Sequence, residues 1–412
     1  MTPTADRERV WQELDTLAAM TDAEPPAVTR VVFTATDLRA RQYFRDCCAS
    51  AALSVREDAV GNIFARWEGT SPEAEPVGTG SHADAIPNAG RFDGTVGVFG
   101  GLEAVRALKA AGFRPRRSID VVMFTSEEPT RFGLGCLGSR LLSGVLRAEA
   151  GQHLRDGDSQ TLDDIRQAAG YSGPLETVHL EPGAYSAFVE LHIEQGPLLE
   201  QHGDDIGIVT AIAAPASSRV FVEGQGGHAG AVLMPDRHDA FLAVAEIALA
   251  VEEAARSSGA PDTVGTVGVC ELFPGAVNSI PSRARIEIDV RDIDLGRRDA
   301  VLAAIDQACD AVGARRGVSI RVERINADTP VSCAPSIVEA IAEACSIRGL
   351  RHQRMISRAY HDSLFMARLA PTGMIFIPCR GGISHRPDEY ASSDAIAKGV
   401  EVLADTLAVL AK

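Results

Sequence analysis

Apolar residues recur at two different periods along the first 210 positions, and the alternation between those periods predicts the fold class. Leu38, Phe44 and Cys48 fall at helical spacing. Residues 77–81 read as a short strand that runs into His82, and a glycine-rich helix follows over 94–111. Residues 118–126 (S-I-D-V-V-M-F-T-S) are a nearly unbroken apolar run with β-branched residues, the pattern of a strand buried on both faces. Residues 189–194 form another strand. Strands alternating with helices of about 10–20 residues predict a mostly parallel sheet covered on both sides.

The texture changes near 211–217. From there strands dominate, at 219–223, 263–272, 283–289 and 318–322, with one long amphipathic helix after Asp236 and another from Leu295. Two helices and about four strands in roughly 110 residues predict a small α+β domain. After Asn326 the first texture returns. The chain closes on a helix from Asp394 whose Ile396, Val400, Leu403, Leu407 and Leu410 make one apolar stripe, with Ser392 or Ser393 as its cap. The expectation is an α/β protein in which a catalytic domain (1–213 and 326–412) is interrupted by an inserted domain (214–325).

Composition narrows the function classes. The 412 residues carry 40 Lys+Arg against 56 Asp+Glu, a formal charge of −16, which disfavours nucleic-acid or anionic-membrane surfaces. The most apolar stretch, 240–255, is broken by Glu246, Glu252 and Glu253, so no membrane span is expected. The first residues are mixed in charge with no apolar core, so no secretory signal is expected either. Eight cysteines lie scattered without a Cys-x-x-Cys pair; Cys47 and Cys48 read as filler of a helix, and the usage fits reduced thiols in a cytoplasm.

Ten histidines divide into two groups. His153, His179, His202, His238 and His352 lie in polar surroundings and read as surface residues. The others keep unusual company. His82 ends a strand in Ser81-His82-Ala83-Asp84, Asp93 lies just before a helix, Glu127 and Glu128 follow the apolar strand, His192 lies within a strand, and His385 sits in Gly-Gly-Ile-Ser-His-Arg-Pro. In open α/β sheets, ligands gather beyond the carboxyl ends of strands. Three imidazoles with two or three carboxylates suit divalent ions such as Zn²⁺ or Mn²⁺, and a carboxylate such as Asp93 can bridge two of them. Neighbouring strand residues point to opposite faces, so one of Glu127 and Glu128 is expected to bind metal while the other stays free as a base. Metal-assisted hydrolysis uses that division: the ion lowers the pKa of bound water from 15.7 to about 7, and a carboxylate takes the proton. Taken singly, a strand-end histidine is more often structural than a ligand.

In order along the chain, Ser81-His82-Ala83-Asp84, Phe92-Asp93-Gly94, Ser126-Glu127-Glu128, 190–197 (E-L-H-I-E-Q-G-P), Gly227-His228-Ala229-Gly230 and Ser384-His385-Arg386-Pro387 resemble the M20 peptidase and carbamoylase superfamily. The resemblance runs from Asp37 to Leu410 and is strongest to its N-carbamoyl-amino-acid, allantoate and ureidoglycolate amidohydrolases. It implies a metal-dependent hydrolase domain with an inserted lid that also makes a homodimer. It implies that His82, Asp93 and His192 hold one divalent ion, and that Asp93 bridges to a second held by Glu128 and His385. Mn²⁺ is the ion implied, with Zn²⁺, Co²⁺ and Ni²⁺ as alternatives. Glu127 would be the general base, His228 would stabilise the oxyanion in the partner subunit with His361 as a further donor, and Gln195, Asn278, Arg291 and Tyr360 would hold the substrate. Within the family, Arg358-Ala359-Tyr360-His361-Asp362-Ser363 resembles the ureidoglycolate branch, whereas the other branches carry a small residue before His-Asp. The reaction so implied is hydrolysis of (S)-ureidoglycolate to glyoxylate, ammonia and carbon dioxide. Allantoate or an N-carbamoyl-L-amino acid as substrate, a simple dipeptide, and a non-catalytic binding protein on the same frame remain as alternatives.

Overall fold

The computed structural model describes residues 2–412. Two compact units emerge among the described residues: those up to 210, with 333–357 and 361–412, form one, and residues 211–332 with 358–360 form the other. The sequence placed the second unit at 214–325; the strand Ser319–Ala327 runs unbroken across position 325, so the chain leaves that unit later.

At the centre of the first unit four strands run parallel, in the order Thr372–Ile377, Ala187–Ile193, Val77–His82, Ile119–Phe124. Antiparallel strands flank them: Ile63–Trp67 and Ser54–Glu57 on one side, Ile206–Ile212 on the other. Every residue of the four central strands is buried, as expected of parallel strands covered on both faces. The helix Thr95–Ala110 lies against the sheet and touches the closing helix Ser393–Leu410, which packs on the central strands as well. Ser392 caps that last helix, its hydroxyl accepting from the Ala395 N–H at 3.1 Å. The parallel arrangement has one consequence for chemistry: all four central strands deliver their carboxyl ends to the same edge of the sheet.

The second unit is a four-stranded antiparallel sheet in the order Val264–Phe273, Arg283–Asp292, Ala214–Glu223, Ser319–Ala327. Arg283–Asp292 buries alternate residues, and Ala284, Ile286, Ile288 and Val290 meet apolar side chains of the helices Ala240–Ser257 and Leu295–Arg316. No helix among the described residues is long and apolar enough to cross a membrane. All eight cysteines are free, and Cys47 and Cys48 are buried.

Candidate metal centre

Each central parallel strand carries one piece of the site at its carboxyl end. His82 is the last residue of its strand; His192 is the next-to-last of Ala187–Ile193; Glu127 and Glu128 lie just past Phe124; His385 lies in the loop after Ile377. Asp93 enters from the turn before Thr95–Ala110. Residues up to 303 positions apart (His82 and His385) thus share one sheet edge.

Hydrogen bonds fix which atoms face inward. His82 Nδ1 meets the Asp84 carbonyl at 3.1 Å and His192 Nδ1 meets the Ile193 carbonyl at 2.9 Å. A carbonyl only accepts, so both Nδ1 atoms carry a proton and each Nε2 is the atom turned toward the cluster, with the Gly94 N–H 3.1 Å from His192 Nε2. Asp93 divides its oxygens. Oδ1 stands 3.1 Å from His192 Nε2 and 3.6 Å from His82 Nε2, while Oδ2 stands 3.2 Å from His385 Nε2. Glu128 Oε1 is 3.4 Å from His385 Nε2, and Glu127 Oε2 is 3.7 Å from His82 Nε2. Two ligands about 2.1 Å from one ion at tetrahedral angles stand about 3.4 Å apart, so these spacings suit divalent cations. The donor atoms of His82, Asp93 and His192 cluster within 4.8 Å of one another, as do those of Asp93, Glu128 and His385. A third cluster of Glu190, His192 and His361 is already committed elsewhere. Both Glu190 oxygens are engaged, by Ser81 Oγ at 2.7 Å and the Ser363 N–H at 3.0 Å, and His361 Nε2 lies 3.0 Å from Ser357 Oγ.

Glu127 and Glu128 are not separated by strand alternation, as the sequence suggested. The strand ends at Phe124, and Ser126 turns the chain at φ +56°. Asp84 then takes the Glu127 N–H on one oxygen (3.1 Å) and the Glu128 N–H on the other (3.0 Å). That clamp sends the two side chains to different histidines. Gln195 and His385 also lie at positive φ, +55° and +58°, so backbone strain gathers at this edge. Gly94, at φ +67°, is needed where it stands: a Cβ there would lie 2.4 Å from the His82 ring.

The charges balance unevenly. Burial opposes ionisation of Asp93, but hydrogen bonds from His192, His385 and His82 outweigh it and hold the carboxyl well below its usual range. Glu127 lies well above that range, chiefly through burial, with His82 opposing and Glu128 adding. Burial and the nearby Asp93 push Glu128 up to about 7. The hydrogen bond to Asp93 raises His385 to about 9. His385 is also the open side of the cluster, with 47% of its side chain exposed where the other ligands are covered.

Gln195 donates to Asp93 Oδ2 at 2.7 Å, and its Oε1 is buried without a partner. His361 is buried, its ring 4.5 Å from that of His192. The other expected residues belong to the second unit. His228 is exposed, in the two-residue strand Gly227–His228 paired with Ser279–Ile280, and the Ala229 N–H donates to the Asn278 carbonyl at 2.9 Å. The Gly230 N–H donates to His228 Nδ1 at 3.1 Å, so the neutral ring carries its proton on Nε2. Arg291 is held by Asp289 at 2.7 Å and lies 5.7 Å over the Tyr360 ring. Among the histidines read as surface residues, His153, His179 and His202 are exposed; His238 and His352 are half-buried, and their Nδ1 atoms meet the Arg316 and Leu350 carbonyls. The sequence reading passed over the clamping role of Asp84 and missed Ser384, whose hydroxyl lies 2.8 Å from Asp93 Oδ2. Their sequence signal is adjacency alone: Asp84 two residues after His82, Ser384 one before His385.

The profile of peptidase family M20/M25/M40 matches residues 78–409. The ureidoglycolate hydrolase of Arabidopsis thaliana is 52% identical over 414 residues, covering 98% of this chain and 87% of that protein. An N-carbamoyl-L-amino acid amidohydrolase of Geobacillus stearothermophilus is 39% identical, covering 98% of each. The crystal structure of AtUAH in complex with (S)-hydroxyglycine superposes with a TM-score of 0.92 at 50% identity, covering 100% of this chain and 99% of that one, and the same protein is also solved with glyoxylate.

Proposed function

Because the chain belongs to peptidase family M20/M25/M40, we propose that it hydrolyses the ureido C–N bond of (S)-ureidoglycolate, with two divalent ions, Mn²⁺ preferred, held either side of Asp93. The observation that carries the metal reading is Asp93 itself, each of whose oxygens faces a different imidazole set. His82 and His192 would complete one ligand set, Glu128 and His385 the other. Once bound, such ions lower the pKa of water and polarise a carbonyl.

The protein's own groups do the rest. Glu127, 3.7 Å from His82 and bonded to neither ion in this assignment, takes the proton from water and gives it to the leaving nitrogen. Attack on the ureido carbonyl releases ammonia and a carbamate. The carbamate loses carbon dioxide and leaves hydroxyglycine, which decays to glyoxylate and a second ammonia. His228, with its proton on Nε2, is a donor suited to an oxyanion; acting in the partner subunit of a homodimer made through the second unit, it would be aided by His361. Asn278 and Arg291 hold the substrate carboxylate, Arg by its planar fork. Gln195 offers its unpaired Oε1, and Tyr360 fills space and adds a hydroxyl. A site that hydrogen-bonds its substrate discriminates more sharply than an apolar one. The 52% identity to a ureidoglycolate hydrolase and the hydroxyglycine complex of a close structural relative support this substrate. A cytoplasmic location is part of the same reading.

A second substrate class has its own support in the 39% identical carbamoylase. One experiment separates them: strip the metal, restore Mn²⁺, and measure ammonia from ureidoglycolate, allantoate and N-carbamoyl-L-amino acids in parallel. The proposal expects Mn²⁺-dependent ammonia release fastest from ureidoglycolate. A faster reaction with either other substrate overturns the assignment, and activity unaffected by stripping overturns the metal.

A further inference from the structure

Glu389 has no part in the reaction described above, yet it is 3% exposed and sits between two ligand-bearing loops. Its Oε1 accepts from two consecutive backbone N–H groups, Phe92 at 2.7 Å and Asp93 at 3.1 Å. Its Oε2 lies 2.9 Å from Ser384 Oγ, which in turn lies 2.8 Å from Asp93 Oδ2. A buried carboxylate is unfavourable unless its oxygens are hydrogen-bonded; here Oε1 takes two N–H groups and Oε2 shares the single Ser384 hydroxyl with Asp93. Gly90 leaves the room this requires, since a Cβ there would fall 2.3 Å from Glu389. The flanking residues are pinned independently: the Tyr390 ring meets Phe92 edge-on at 6.1 Å, Trp11 packs on Phe92 at 5.7 Å, and the Arg380 N–H donates to the Tyr390 carbonyl at 2.8 Å.

The arrangement repeats what Asp84 does for Glu127 and Glu128. In both places a buried carboxylate takes two successive N–H groups of a segment that carries metal-site residues. We propose that Glu389 is a positioning residue that fastens the Asp93 turn to the His385 loop, so that the two ligand sets are in register before any ion arrives. This rests on the metal reading above. Partners beyond the ligands commonly change metal affinity by about 10–100-fold, and that is the size of effect expected here.

The test is a Co²⁺ titration of the metal-stripped full-length protein, followed by visible absorption, for the wild type and three variants. Glutamine keeps a carbonyl oxygen able to take both N–H groups while removing the charge, so Glu389→Gln should bind Co²⁺ within about threefold of the wild type and keep its spectrum. Glu389→Ala should bind about 10–100-fold more weakly with an altered spectrum. Glu389→Asp keeps the charge but is one methylene too short to span both loops, and it should resemble alanine; it carries the test if the alanine variant does not fold. Glutamine as weak as alanine would mean charge alone matters and overturns the clamp, as would aspartate or alanine binding like the wild type. A wild type that takes up no Co²⁺ removes the metal reading itself, an outcome distinct from either.

Discussion

At Asp93 and Glu127 the same burial meets different partners, and the outcome differs. Asp93 collects hydrogen bonds from three imidazoles and stays ionised, whereas Glu127 has one histidine at 3.7 Å against the neighbouring Glu128 and is driven toward its neutral form. A divalent cation alongside would reverse that balance, which makes Glu127 a base only when metal is present. Glu127→Gln is therefore expected to lower kcat by about 10²–10⁴-fold while metal content, measured by elemental analysis, stays at the wild-type level; loss of metal together with activity would instead make Glu127 a ligand. Asp362 gives a prediction away from the ions. Burial, reinforced by Glu190, raises its carboxyl to about 8; Ser139 donates to Oδ1 at 2.5 Å and Oδ2 has no partner. An unfolded aspartate titrates near about 3.9. The folded chain thus keeps a proton that the unfolded chain releases, and the stability this gives, complete below about pH 4, is lost as pH rises through 8. In metal-free protein, the Tm of Asp362→Asn should gain on that of the wild type between pH 5 and 8. A gap constant with pH would contradict the shift.

Elements explain why so much of the centre was legible. A parallel sheet lines up carboxyl ends, and three of its four central strands were read from the sequence with a histidine or carboxylate at or just past the end; Thr372–Ile377 was not read. What was not legible is how the loops are held. Periodicity says nothing about a chain that turns at Ser126, Gln195 and His385 with positive φ, and a carboxylate such as Glu389 that reaches across 296 positions to the Asp93 N–H leaves no local pattern. Strand alternation does not separate Glu127 from Glu128, because the strand has already ended; the Asp84 clamp does. Gly94 tests this scale. Alanine there must adopt φ +67° and ψ −42°, outside the left-handed helical well, at about 1–3 kcal/mol, and press on the His82 ring. Gly94→Ala should melt several degrees lower and bind metal more weakly. Unchanged metal affinity would show that the turn yields without disturbing His82.

At the scale of the whole molecule, a chain of charge −16 is expected to take an anionic substrate, so cations must concentrate where it binds. The ions and Arg291 supply that charge in the proposed reading. Tyr360, stacked with Arg291 at 5.7 Å, is then the residue expected to select among ureides. Tyr360→Gly should lower kcat/KM for ureidoglycolate by at least about tenfold and narrow its lead over larger carbamoyl substrates, because a lost hydrogen bond and an emptied volume act together. An unchanged order of preference would assign Tyr360 to packing. The division into two units was visible in the sequence as a change of texture, but its edges were not, since strands continue through the points where composition shifts. The most direct measurement is an anomalous-scattering map from crystals of the protein loaded with Mn²⁺. The account predicts two peaks about 3.5–4 Å apart, one on His82 and His192, the other on Glu128 and His385, with Asp93 between them. No peak at this edge of the sheet, or a single peak that Asp93 does not touch, would contradict it.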